Sequence, residues 1–371
     1  MANVAQEVIK PTQAGIFRSV YLYTGQGETT LLVIPTGPNV EDYQYVLVDC
    51  DQDKESDEIE LISLFKDLFT DGQKIDVYIN THPHADHTAG IKDLYDEIGI
   101  TEVWHSNHKA SGKDEGAYKE LKYVLDKVGK SNEYHLKGTN DVNKLRKSDK
   151  AETEVVKKIG NVDYIVLSPA EYVCDDIDGE DEKARYRRIH EQCGVIRFGY
   201  GSDPKHIMMT GDSDKKAWKE HITDYHKDHL TAIVLSASHH GSRTFFKENE
   251  DDEDVYEEHI KFIEPTYLII SAPKQADSPH DHPHDDAMEL YKKYVDPDNI
   301  LHLGENLESV IIDIDSSGQM DVRLDKRLVE TYGRKKSDSD QKRDTSDSKK
   351  AIGFGVHVGS SGTKIDNKPM G

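Results

Sequence analysis

Residues 80–90 read Asn-Thr-His-Pro-His-Ala-Asp-His-Thr-Ala-Gly. His82, His84, Asp86 and His87 place four potential metal ligands within six residues. Imidazole and carboxylate together suit zinc, iron or manganese. Pro83 stiffens the segment. The i, i+2 spacing of His82 and His84 can aim both rings at one point, which leaves Asp86 and His87 facing a second point nearby. A divalent ion held this way would activate water for hydrolysis.

The flanking residues say how such a loop is held. Ile75-Asp76-Val77-Tyr78-Ile79 alternates as a strand does, and a helix pattern starts at Ala89. The ligands therefore sit on a strand-to-helix turn. Further strands are expected at 16–23, 29–35, 45–50, 101–105, 162–168, 205–210, 230–236, 265–271, 300–303, 309–314 and 320–324. Helices are expected at 57–70, 118–128, 215–221 and 285–294. Gly25 and Gly27 permit a tight hairpin between the first two strands. Residues 106–160, rich in Lys, Asp and Asn, read as an insertion shaping the mouth of the site, with His105 and His108 as solvated histidines. Residues 170–185 read as an acidic loop.

The chain has 371 residues and a net charge of −24. Phosphate neutralisation supplies most of the affinity of duplex-DNA binders, so this sign opposes a long polyanionic substrate. Cys50, Cys174 and Cys193 are odd in number and widely spaced, which gives no disulfide framework. No apolar run is long enough for a membrane span, and no signal sequence opens the chain. A cytoplasmic protein with no membrane part is expected. Residues 331–371 are low in apolar residues and read as a flexible tail, with a strand-like stretch at 351–359 that could add to a partner protein.

The pattern His-x-His-x-Asp-His resembles that of the metallo-β-lactamase superfamily. Thr24-Gly25-Gln26-Gly27-Glu28, Leu47-Val48-Asp49, Met209-Thr210-Gly211-Asp212, Ser238-His239-His240-Gly241-Ser242 and His282-Pro283-His284 follow in order. This ordered set resembles the ComEC-like branch, metallo-hydrolases akin to the nuclease domain of a DNA-uptake protein. The resemblance implies an α/β fold, an αββα sandwich of the metallo-β-lactamase type, spanning residues 1–330. It implies one or two divalent ions, zinc or manganese, held by His82, His84, Asp86, His87, Asp212, His240 and His282. Asp212 would bridge. Asp86, His240 and His282 would also serve catalysis, and of the two adjacent histidines His240 is favoured, since alternation sends His239 the other way. His190 can stand in for a missing third ligand of the first ion, Glu28 can support the site from behind, and Cys193 reads as a small buried residue.

The branch points to a metal-dependent phosphodiesterase or nuclease acting on single-stranded nucleic acid or nucleotides, with Arg243 able to meet phosphate. A metallo-hydrolase of an amide, lactone or thioester is the first alternative. A non-catalytic binding or regulatory protein on the same fold is the second.

Overall fold

A computed structural model describes residues 3–52, 57–70, 72–148, 152–178 and 181–334. The strands are β1 (Phe17–Tyr21), β2 (Thr30–Pro35), β3 (Tyr43–Val48), β4 (Ile75–Asn80), β5 (Ile100–His105), β6 (Glu133–His135), β7 (Lys144–Lys147), β8 (Glu154–Val156), β9 (Asp163–Ser168), β10 (Val195–Tyr200), β11 (Lys205–Met209), β12 (Val234–Ser236), β13 (Tyr267–Ile270), β14 (Ile300–His302), β15 (Ser309–Ile314) and β16 (Met320–Asp325). Among the described residues they form two sheets, ordered β16-β15-β1-β2-β3-β4-β5-β6-β7-β8 and β14-β13-β12-β11-β10-β9.

The first sheet changes character at β3. β1 and β2 form the expected hairpin, pairing Arg18 with Val33 and Tyr21 with Thr30. From β3 to β6 the strands run parallel. Parallel neighbours need a crossover, and helices Leu61–Leu68, Ile91–Glu97 and Glu115–Val128 supply three of them. The first shows why it packs inward: Leu61, Leu64, Phe65 and Leu68 fall on one stripe and all are buried. Each such side chain contributes about 1.5–3 kcal/mol by burial.

The second sheet shows the layering through its alternation. Tyr164, Val166, Ile196, Phe198, Ile207, Met209, Val234 and Ile269 join the core shared with the first sheet. Their neighbours Ile165, Leu167, Val195, Met208, Leu235, Leu268 and Ile270 join a second core with the helices beyond, Ala217–Ile222, Glu258–Ile263 and Asp285–Tyr291. Side chains of one strand thus face the opposite sheet and an outer helical layer in turn. The fold is the expected αββα sandwich.

Several elements depart from the sequence expectation. Residues 171–178 and 182–187 are helices rather than an acidic loop, and the insertion contributes β6, β7 and β8 to the first sheet. The chain is still tied to the sandwich just beyond 330, where Arg334 N–H donates to Glu58 O and Asp57 N–H to Arg334 O. The remaining tail, residues 335–371, lies outside the described residues. Among the described residues no helix is long and apolar enough to cross a membrane.

The outer core holds a pH-sensitive group. His259 is fully buried, with its ring 4.1 Å from that of Phe245 and beside Trp218, Phe246 and Tyr256. Burial pushes its pKa down to about 3, so the unfolded chain takes up a proton there that the native state does not. Its stability contribution is complete above the ordinary histidine pKa and is lost as pH falls toward 3. Urea unfolding of wild type should weaken below pH ~6.5 faster than that of His259→Phe, by up to about 1.4 kcal/mol per pH unit. Equal slopes would show that the imidazole is not held neutral.

Candidate metal centre

The two sheets present their strand ends on one side, where open α/β sheets bind ligands. β4 leads into His82, β3 into Asp49, β11 into Asp212, β12 into His239 and His240, and β13 into Ser271. His190 enters from the segment before β10.

Two ligand groups meet at Asp212. In the first, Oδ2 of Asp212 is 3.5 Å from His82 Nε2 and 3.7 Å from His190 Nε2, and His190 Nε2 is 3.3 Å from His84 Nδ1. In the second, Oδ1 of Asp212 is 3.0 Å from His87 Nε2 and 3.6 Å from His240 Nε2, which is itself 3.5 Å from Asp86 Oδ2. Within each group the ligand atoms all lie within 4.8 Å of one another. One carboxylate therefore turns one oxygen toward each group.

The donor atoms fit divalent ions. His82 Nε2 and both oxygens of Asp212 are buried without a hydrogen-bond partner among the described residues, a costly state for polar atoms unless something else meets them. The supporting hydrogen bonds also select the right tautomers. Asp49 Oδ2 lies 2.8 Å from His87 Nδ1, and the carbonyl of Ser271 lies 2.8 Å from His240 Nδ1. Both acceptors keep the ring proton on Nδ1 and leave the Nε2 lone pair for a ligand role.

Electrostatics agree with the geometry. Burial pushes the Asp212 carboxyl up, but His239, His87, His240 and His82 outweigh it and hold it well below the usual carboxylate range. Asp86 is likewise held low, because His240 and His87 beside it overcome burial. Burial keeps His82 neutral. Glu28 lies beside Asp49 and His87. Burial, opposed by His87, raises its pKa to about 7, and its N–H donates to the carbonyl of Asp86.

Of the sequence-predicted residues, His82, His84, Asp86, His87, Asp212 and His240 come together, and His190 completes the first group. His282 does not join either group; the amide of Gln26 lies 3.1 Å from its Nδ1. His239 turns inward, not away, with Nε2 3.5 Å from Asp212 Oδ2. Alternation fails because both histidines leave the strand for a left-handed turn, with φ of 51° and 58°. Cys193 is buried beneath the site and accepts from Asp212 N–H.

His105 and His108 are buried rather than solvated. His105 forms a third cluster with Glu133 and His135. Its Nδ1 accepts from Asn107 N–H, so its proton sits on Nε2, toward Glu133 at 3.4 Å. His105 itself therefore has no lone pair to offer an ion, and Lys130 Nζ and Ser148 Oγ also donate to Glu133.

A cavity of about 620 Å³ opens over the two groups and is lined by His84, Asp86, His190, Asp212, His239 and His282, with Lys113 and Arg187 also on its wall. These two basic residues were missed from sequence, because only the fold carries them to the mouth. Arg243 lines a neighbouring cavity and pairs with Asp286 at 3.1 Å.

Residues 15–170 match the family model of the metallo-beta-lactamase superfamily. The matched region is less than half of the chain. It spans β1 to β9 and supplies Asp49, His82, His84, Asp86 and His87; His190, Asp212 and His240 lie beyond it. No curated protein matches the chain. Among solved structures, a CmlA beta-hydroxylase E377D mutant is 12% identical over 79% of this chain and 53% of its own, with a TM-score of 0.41. The chain thus spans about half the length of that hydroxylase. Igni18, a metallo hydrolase from Ignicoccus hospitalis, is 10% identical over 83% of this chain and 98% of its own, with a TM-score of 0.40. The metallo-beta-lactamase SMB-1 is 13% identical over 70% and 81%, with a TM-score of 0.30. Likenesses this distant bear on neither substrate nor metal.

Proposed function

We propose that the protein is a two-metal hydrolase of phosphodiesters, with single-stranded nucleic acid or nucleotides as its substrate class. The observation that carries this reading is the placement of Asp212, one oxygen toward each ligand group. His82, His84 and His190 would hold one divalent ion, Asp86, His87 and His240 the other, and Asp212 both. Zinc and manganese both suit this donor set. Bound ions supply Lewis acidity, which acidifies water and offsets charge on a transferring phosphoryl group.

The chain's own residues do the rest. Asp49 and the carbonyl of Ser271 keep His87 and His240 in register. Burial of His87 and His240 keeps bulk water from their donor atoms. Lys113 and Arg187 stand on the cavity wall with Asp86, Asp114 and Asp212, and among the described residues are the two cations there that can meet an anionic substrate.

The test compares wild type with Asp86→Ala for metal content and for cleavage of bis-p-nitrophenyl phosphate and single-stranded DNA, with manganese or zinc supplied. Metal-dependent cleavage in wild type that is lost in the variant is the expected result. Bound metal without cleavage of either compound would move the assignment to amides, lactones or thioesters. Absence of bound metal would leave a binding protein.

A further inference from the structure

We infer that Gln26, at the tip of the Gly25-Gln26-Gly27 turn, sets the tautomer of His282 so that its Nε2–H donates to an anionic oxygen of the substrate. This rests on the phosphodiester reading for the substrate's charge, but the hydrogen-bond relay stands on its own geometry.

Side chains pack closely against both glycines of the turn. A Cβ on Gly25, whose φ is +75°, would meet Glu58 Oε1 at 1.9 Å, and one on Gly27 would meet Asp51 Oδ2 at 2.0 Å. The Gly27 carbonyl accepts from Ser271 Oγ at 2.7 Å, the same serine whose own carbonyl holds His240. Gln26 is thereby held against the loop that carries His282.

The relay follows from counting donors. A serine hydroxyl has one proton and two lone pairs. Ser278 Oγ accepts from His280 N–H at 3.3 Å and from His282 N–H at 3.0 Å. Its proton must then go to Gln26 Oε1, 2.8 Å away. That fixes the amide orientation, so the Gln26 nitrogen, 3.1 Å from His282 Nδ1, donates to it. Nδ1 is the acceptor, and the proton of the neutral ring lies on Nε2. The ring lines the cavity beside that of His239, 5.1 Å away. Gln26 is a positioning residue; His282 is the group that meets the substrate.

Gln26→Glu tests this with little change of shape. A carboxylate only accepts, so Ser278 can still donate to it, but His282 must then donate from Nδ1 and turn its Nε2 lone pair to the cavity. Long-range proton–nitrogen correlation spectra of histidine-labelled, metal-free protein, recorded above the ordinary histidine pKa, read the tautomer directly. His282→Asn identifies the signal. Wild type should show Nε2–H and Gln26→Glu should show Nδ1–H. In metal-loaded protein, inorganic phosphate should inhibit or bind about tenfold more weakly in Gln26→Glu, with metal stoichiometry unchanged. Nδ1–H in wild type, an unmoved tautomer in the variant, or equal phosphate affinity would overturn the inference. Loss of the phosphodiester reading would appear separately, as wild type without metal-dependent cleavage while the tautomer still switches.

Discussion

Asp212→Asn is expected to cut the metal stoichiometry from two ions to at most one and to lower phosphodiester cleavage by about 10²–10³-fold, the scale of losing one preorganised electrostatic group. The change is nearly isosteric, so it tests charge and lone pairs rather than packing. Asp212 offers lone pairs on both sides: Oδ1 faces His87 and His240, Oδ2 faces His82 and His190. An asparagine can offer them on one side only. On the other its NH₂ points at lone pairs that should meet an ion, and makes a hydrogen bond in the ion's place. The negative charge between the two groups is lost as well. Metal analysis of purified protein, with rates measured on bis-p-nitrophenyl phosphate, decides the matter, and an unchanged melting temperature without metal would show that the fold is intact. Two ions bound at wild-type affinity would remove Asp212 from the bridging role.

Much of this site was legible because local rules govern it. The loop at 82–87 follows a strand that alternates cleanly and precedes a helix, so its position on the fold was readable from residues 75–90. Asp212 and His240 were legible through the resemblance, as the ends of Met209-Thr210-Gly211-Asp212 and of the Ser238-His239-His240 segment, each placed after a short apolar strand. What failed depends on tertiary placement. His239 obeys alternation only if the strand continues, and it ends at Ser236. His282 sits with the other histidines in sequence pattern, yet a glutamine more than 250 residues away claims its nitrogen. Lys113 and Arg187 lie in stretches without any motif.

The same division holds for the fold. Long strands such as β4 and β15 were found within a residue or two, whereas the three-residue strands β6 and β8 show no period to find. The helix at 171–178 was hidden by acidic composition, and the one at 182–187 spans only six residues, too few to show a period. Nor does any period say that β14 and β15, adjacent in the chain, belong to different sheets.

Asp49→Asn should separate the two ion sites, weakening the second by roughly 10–100-fold, the usual cost of losing an outer-shell partner, and leaving the first near wild type. Asp49 lies in a left-handed conformation just after β3, with φ of 54°, which aspartate and asparagine both tolerate, so the backbone is not the issue. Every partner of its side chain is a donor. Oδ1 accepts from Thr81 N–H at 2.8 Å, and Oδ2 accepts from Thr81 Oγ1 at 2.7 Å and from His87 Nδ1 at 2.8 Å. An asparagine must point NH₂ at one of these sets. Facing the backbone N–H of Thr81, it would leave a buried donor unpaired at a cost of about 1–3 kcal/mol. Facing the other set is cheaper, because the hydroxyl of Thr81 can turn to accept. His87 must then accept as well, and its proton moves to Nε2. That nitrogen faces Asp212 and His240, so the second group loses a ligand while His82, His84 and His190 keep theirs. Calorimetric titration of metal-free protein should resolve one tight and one weakened ion. Two ions at wild-type affinity would mean that His87 does not depend on Asp49 for its tautomer, and equal weakening of both would mean that Asp49 supports the loop as a whole.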